Sequence, residues 1–334
     1  MFLLAFFLLA FVLTYLMRMY AVKKNIIDNP NERSSHSVPT PRGGGVAVVI
    51  SYLLGLMLLI YLGDISQHVG FTLIAAGFVI ALLGFLDDHG HINALVRLAV
   101  HFLVAVAAVV SLGGFSDVVL FNESIQLGWF ANIIAVLFLV WLLNLYNFMD
   151  GINGIASIEV ITATVSMGTI YLLLASELSS QSLFLLAACA TGFLLWNFPK
   201  ARIFMGDACS GFLGLILGIL ALIALKQDVA LFCAWIICLG VFIVDATFTL
   251  IRRVINGHKM YDAHRSHAYQ YASRKYNSHT IVTFGVLVIN VLWLLPIAYL
   301  ASKSVLIPEL LILIAYIPLI VLAIYFGAGK TENA

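Results

Sequence analysis

Residues 129–154 read WFANIIAVLFLVWLLNLYNFMDGING. The stretch 129–147 is apolar almost throughout, and a helix of that length crosses a hydrocarbon core about 30 Å thick. Its end changes character. Asn144, Asn147, Asp150 and Asn153 recur at every third residue, a spacing that keeps side chains roughly on one face of a helix. Polar groups at that depth need partners, because lipid supplies none. Hydrogen bonding between helices is one way to satisfy them. Gly151 and Gly154, beside the acid and the second amide, favour a ligand that approaches the backbone.

Composition extends the membrane reading to the whole chain. Of 334 residues, 63% are hydrophobic and only 10% charged, with a mean hydropathy of +1.07. A water-soluble domain carries about a quarter charged residues, so that class is excluded. Eleven apolar runs are long enough to span: about 1–20, 43–62, 70–86, 94–113, 129–147, 155–176, 182–199, 210–225, 229–251, 280–300 and 308–328. The first has no basic start and no small-residue cleavage site, so it reads as a retained anchor. The expectation is an all-α integral membrane protein of about eleven helices, forming one polytopic domain over 1–334. No internal repeat is visible, which weighs against transporters built from inverted repeats.

With the N-terminus outside, fifteen of the 17 Lys and Arg residues fall in connections on one side, and only Lys226 and Lys303 on the other. The positive-inside rule makes the first side cytoplasmic and places the C-terminus there. The four cysteines lie in or beside spans and form no CxxC pair; they read as small membrane residues. Acids in the outer connections are scattered, whereas every inner connection is rich in polar residues. Those inner loops, about 21–42, 87–93, 148–154, 200–209 and 252–279, are where a site is expected.

The first inner loop ends in Pro41-Arg42-Gly43-Gly44-Gly45, where glycines let backbone amides approach a phosphate; a flexible basic loop against anionic lipid is the plainer reading. The second carries Asp87 and Asp88, adjacent acids that raise each other's pKa unless a cation or proton intervenes, followed by Arg97. In the fourth, Asp207 stands where the next span begins. It reads either as a helix cap or as a carboxylate that, with Asp150, holds Mg²⁺ against a phosphate. The fifth holds His264, Arg265 and His267. Two histidines do not complete a zinc site, and donors to a pyrophosphate fit better. Asp245, two turns before Arg252, reads either as its buried partner or as a group whose role the sequence leaves open. No role is assigned to Glu159.

The stretches HSVPTPRGGG, GFLDDHGH, NLYNFMDGING, NFPKARIFMGDACSGFLG and AHRSHAYQ occur in this order over about residues 25–275. Together they resemble the polyprenyl-phosphate N-acetylhexosamine-1-phosphate transferases, relatives of the phospho-N-acetylmuramoyl-pentapeptide translocase. That resemblance implies an Mg²⁺-dependent reaction, with Mn²⁺ able to stand in. A polyprenyl phosphate such as undecaprenyl phosphate and a UDP-N-acetylsugar give polyprenyl-diphosphate-sugar and UMP, on the cytoplasmic face of a bacterial inner membrane. It implies catalytic roles for Asp87 and Asp88 and metal binding by Asp150 and Asp207. Substrate contacts are implied for Asn147, Asn153, Arg97, His264, Arg265, His267, Gly43 and Gly44. The expected partners are the two substrates and membrane lipid, with a homodimer left open and no nucleic acid.

Two departures bear on the sugar. Asn153 stands where many relatives have a second Asp, and His-Arg-Ser-His is sparser than their histidine runs. That variant looks like the branch that initiates O-antigen, which uses 6-deoxy N-acetylsugars. The rival class is a secondary transporter or lipid flippase, whose polar site would lie near the midplane between broken helices.

Overall fold

A computed structural model describes residues 1–30, 35, 38–90, 92–121, 123–258 and 265–330. Each of the eleven apolar runs is helical. The helices are α1 (Phe2–Lys23), α2 (Val46–Leu62), α3 (Gln67–His89), α4 (Ala94–Ser111), α5 (Phe130–Met149), α6 (Ile155–Leu173), α7 (Ser180–Asn197), α8 (Asp207–Gln227), α9 (Val229–Cys238), α10 (Gly240–Ile255), α11 (Ala268–Tyr276), α12 (His279–Ile289), α13 (Leu295–Ser302) and α14 (Pro308–Phe326). A π-helical segment, Asn290–Leu294, joins α12 to α13 into one long element. Two short antiparallel pairs, β1 (Ile27–Asp28) with β2 (Thr40–Pro41) and β3 (Asp117–Leu120) with β4 (Glu123–Gln126), complete the chain.

Among the described residues nine helices are long and apolar enough to cross a membrane. Two expected spans differ. Run 43–62 yields only the 17-residue α2, because Gly43–Gly45 are drawn into the site. Run 229–251 is not one helix but α9 and α10, bent by 72° at Leu239. The chain is thus an all-helical integral membrane protein, with one span broken.

α8 is the central helix, buried along nearly its whole length between α3 and α5. Its glycines explain how. A Cβ on Gly214 would strike the Leu142 carbonyl of α5, and one on Gly218 would reach Leu139. Small residues allow this approach, and close packing is what holds helices together in lipid. On α3, Gly77 accommodates Phe212 and Gly84 lies against the Asp207 carbonyl and the Ala208 amide. α3, α5 and α8 are therefore held tightly enough for their ends to share one site. The four cysteines are buried and free.

Candidate active site

The contact at Gly84 brings Asp88 to the N-terminus of α8. Its Oδ1 accepts the Asp207 amide at 3.3 Å and its Oδ2 the Ala208 amide at 3.4 Å. A carboxylate is favoured there by the free N–H groups and the helix dipole. The cap of α8 thus comes from another helix and not from Asp207, which is already inside the helix, after Gly206. Gly206 has φ +82°, and a Cβ on it would meet both Asp88 Oδ2 and Gly43; only glycine suits this position.

Asp87, next to Asp88, has separate partners. The Arg97 guanidinium from α4 pairs with it, and the Ile92 amide donates to its Oδ1 at 2.6 Å. Arg97 also reaches Asp207 Oδ2 at 3.4 Å. Arg42 donates to the Asp88 carbonyl at 2.9 Å, with its Nε 3.6 Å from Asp88 Oδ1. The adjacent acids that sequence alone presents as a repelling pair are separated, each with its own arginine.

The glycine run is occupied by the protein itself. Phe204 N–H donates to the Pro41 carbonyl (2.8 Å), Gly44 N–H to Phe204 (2.9 Å) and Gly45 N–H to Met205 (2.9 Å). This ladder stitches the first inner loop to the fourth. Gly44 therefore has its amide committed, and Gly45 is there because a Cβ would overlap the Cys209 side chain. Gly43, at φ +92°, makes the turn that allows the ladder.

The four-residue polar row does not continue as a helix. α5 ends at Met149, Asp150 is its C-cap, and Gly154 takes φ +79°. Position 151 has to be glycine, because the Tyr269 hydroxyl fills the space a Cβ would need, while donating to the Phe148 carbonyl at 3.0 Å. Asn144 and Asn147 stay on the helix; Asp150 and Asn153 belong to the turn that follows. Asn153 binds three elements together: its Nδ2 donates to Pro199 O (3.1 Å), its carbonyl accepts from Thr283 (2.8 Å), and its amide faces His279 Nδ1 at 3.5 Å. Asn197 braces the same turn, accepting from Gly154 N–H at 2.6 Å and donating to Ile203 O at 3.0 Å.

These loops enclose a cavity of about 210 Å³. Of the residues expected at the site, Asp88, Asn147, Asp150, Asn153 and Asp207 line it, as does Arg42. Asp87 and Arg97 stand behind it, on Asp88 and Asp207. The cavity wall also contains Asp28, Asn197, Gln270 and His279, to which the sequence reading gave no role. Asn197 and Gln270 sit at the edges of the recognised stretches, but nothing in one sequence separates them from their polar neighbours.

The Asp150 carboxyl is pushed well above the ordinary value of 3.8, first by burial, then by Asp207 and Asp88. Nothing among the described residues lowers it. An acid in this position gains from a cation. Among the described residues no three His, Cys, Asp or Glu side chains are grouped closely enough to hold an ion alone. Mg²⁺ does not need three, because it takes one or two carboxylates and completes its shell with water and substrate phosphate. Asp150 and Asp207 on a polar cavity fit that habit.

His264 lies outside the described residues. His267 caps α11 and is buried, its Nδ1 3.3 Å from Asp245 Oδ1, with the Gln270 side chain closing a capping box. It does not line the cavity; Gln270, one turn later, does. Asp245 is not the partner of Arg252. It accepts the Ala268 and Tyr269 amides at 2.8 and 2.9 Å, while Arg252 donates to the Ala328 carbonyl at 3.0 Å. Free amides at the start of α11 attract the acid more effectively than a flexible arginine on its own helix. Arg265 is half-buried, and its carbonyl accepts from Arg274 at 3.1 Å.

Residues 70–225 match the pattern of glycosyl transferase family 4. The chain is 34% identical over 284 residues to a probable undecaprenyl-phosphate N-acetylglucosaminyl 1-phosphate transferase of Bacillus subtilis, covering 82% of this chain and 75% of the relative. It is 28% identical over 339 residues to a decaprenyl-phosphate N-acetylglucosaminephosphotransferase of Mycobacterium tuberculosis, covering 89% and 81%. A phospho-N-acetylmuramoyl-pentapeptide-transferase of Pelagibacter ubique is 30% identical over 260 residues, covering 67% and 69%.

Proposed function

The chain belongs to glycosyl transferase family 4, and from that premise we propose that it transfers an N-acetylhexosamine-1-phosphate from a UDP-sugar to undecaprenyl phosphate. The observation that carries this reading is the meeting of Asp88, Asp150 and Asp207, from three different helix ends, on one cavity. A transporter would place such groups between broken helices near the midplane; here they stand where α3 and α5 end and α8 begins.

The lipid phosphate oxygen attacks the sugar-linked β-phosphorus. A new P–O–P bond forms, and the bond to the α-phosphate breaks with UMP leaving. Asp88 is the base assigned to the lipid phosphate, because it lines the cavity and Asp87 does not. Asp87 holds Arg97, which also touches Asp207, so the pair sets the acids in place. Bound to Asp150 and Asp207, Mg²⁺ would screen the two anionic substrates and polarise the transferred phosphoryl group. Arg42 adds a fixed positive charge.

The basic-residue split supports an active site on the cytoplasmic face of the inner membrane. The names of the relatives support N-acetylglucosamine as the sugar, while the His-Arg-Ser-His segment supports a 6-deoxy N-acetylsugar and O-antigen initiation. One assay separates these: purified protein, undecaprenyl phosphate, Mg²⁺ and a panel of UDP-sugars of both kinds, with UMP release measured. Release with one sugar class is expected. No release with any sugar would sink the transferase reading.

A further inference from the structure

Glu159 is fully buried on α6, and Asn290, at the start of the π-helical segment, is 3% exposed. Asn290 Nδ2 donates to Glu159 Oε2 and to Thr162 Oγ1, both at 2.7 Å. Thr162 returns its own hydroxyl to the Ile158 carbonyl. An acid and an amide at such depth are costly and are kept where they do something. The π segment is a second mark, since a break in α-helical register often serves a site.

The same two elements touch at a second place. His279 and Thr283 of α12 hold the amide and the carbonyl of Asn153, the last residue before the cap of α6. Residues 279, 283 and 290 fall on one face of the α12 element, at intervals of four and seven. Thr283 and Asn290 are about 10 Å apart along their axis at 1.5 Å per residue, and their partners Asn153 and Glu159 follow in the same order at the start of α6. Two attachments in the same order along both elements hold the register of α12 on α6, in addition to its apolar packing. The lower attachment is the turn that carries Asp150, so its position depends on the upper one.

We infer that Glu159, Asn290 and Thr162 are positioning residues for the transferase site. They form a hydrogen-bonded clamp within the membrane that sets α12 so that His279 and Thr283 hold the Asp150–Asn153 turn in place. The clamp rests on the reading of Asp150 as a metal-binding acid. It works through hydrogen bonds and requires no net charge at position 159, since Gln can accept the same bond from Asn290.

The test uses the full chain in lipid nanodiscs with undecaprenyl phosphate, UDP-N-acetylglucosamine and the 6-deoxy UDP-sugars, measuring kcat, the Mg²⁺ concentration for half-maximal rate and, without substrates, the Mg²⁺ concentration that gives half the rise in Tm. Glu159→Gln should stay within about twofold of the unaltered protein. Glu159→Leu and Asn290→Leu should each lose about tenfold in kcat and need several-fold more Mg²⁺, with the double variant no worse than either single, as expected for partners in one contact. The Mg²⁺ requirement distinguishes positioning from loss of stability alone. Should Asn290→Leu not insert, Thr162→Val, of the same shape, decides the matter: a raised Mg²⁺ requirement supports the clamp and an unchanged one overturns it. Unaltered kinetics in Asn290→Leu, a Glu159→Gln variant as impaired as Glu159→Leu, or losses that multiply in the double variant would each overturn the inference. An unaltered protein that releases no UMP, or an Asp150→Asn variant with full activity, overturns the underlying site and is distinguishable from failure of the clamp alone.

Discussion

Asp150 shows how one side chain can be placed against its own interest. Burial and the neighbouring Asp207 and Asp88 disfavour its charged form, a balance that a divalent cation bound there would reverse. Two predictions belong at this scale. Asp150→Asn and Asp207→Asn should each abolish Mg²⁺-dependent UMP release, a loss of about a thousandfold or more, with the protein still inserted; near-normal turnover in either would remove that residue from the metal site. The second concerns stability. The carboxyl pKa of Asp150 is raised in the folded state, so its contribution is fully present below the ordinary carboxylate value and is lost as pH rises through the folded one. Protein freed of divalent cations should therefore lose thermal stability as pH rises across that range, and added Mg²⁺ should raise Tm more at high pH than at low. A Tm response to Mg²⁺ equal at both ends of the range would contradict it.

At the scale of elements, helix ends do most of the work. α8 begins under a carboxylate supplied by α3, and α11 begins under one supplied by α10. In both cases an acid from one helix satisfies the free amides of another, which ties a loop to the bundle without a covalent link. For α11 the consequence is testable. Asp245→Ala removes the acceptor of two buried amides and the partner of His267, which should cost about 2–4 kcal/mol of stability. Since α11 carries Gln270 to the cavity, the KM for the UDP-sugar should rise more than kcat falls. Steady-state kinetics alongside thermal unfolding check this, and an unchanged KM would show that α11 needs no such anchor. The polar row at 144–153 is instructive here. Its spacing is regular enough to suggest one helical face, yet Gly151 and Gly154 end the helix in the middle of it, so two of its members point from a helix and two from a turn.

For the whole molecule, the concentration of basic residues on one side is a statement about topology. It predicts an external N-terminus and a cytoplasmic C-terminus. Single cysteines in place of Lys226 or Lys303 should react with an impermeant maleimide in intact cells, and cysteines at Lys200 or Arg274 should react only after lysis; the reverse pattern would invert the protein. That the chain is an all-helical membrane protein follows from its apolar runs, because in lipid a helix is the one local way to satisfy every backbone group. Asp87, Asp88, Asp150 and Asp207 stand out because charge at the end of an apolar run is conspicuous, and the fold brings Asp88, Asp150 and Asp207 to one cavity. What one sequence does not contain is which polar groups are spent on the fold. The amide of Gly44, the side chain of Asn153, the imidazole of His267 and the carboxylate of Asp245 all look available for a ligand, and all are engaged by partners from 22 to 160 residues away along the chain. Asn197, Gln270 and His279 look ordinary and line the cavity. The apolar pattern is local and periodic, so the sequence alone determined the membrane helices. The division of polar groups between holding the fold and facing a substrate depends on which helix ends meet, and only the packing of α3, α5 and α8 decided that.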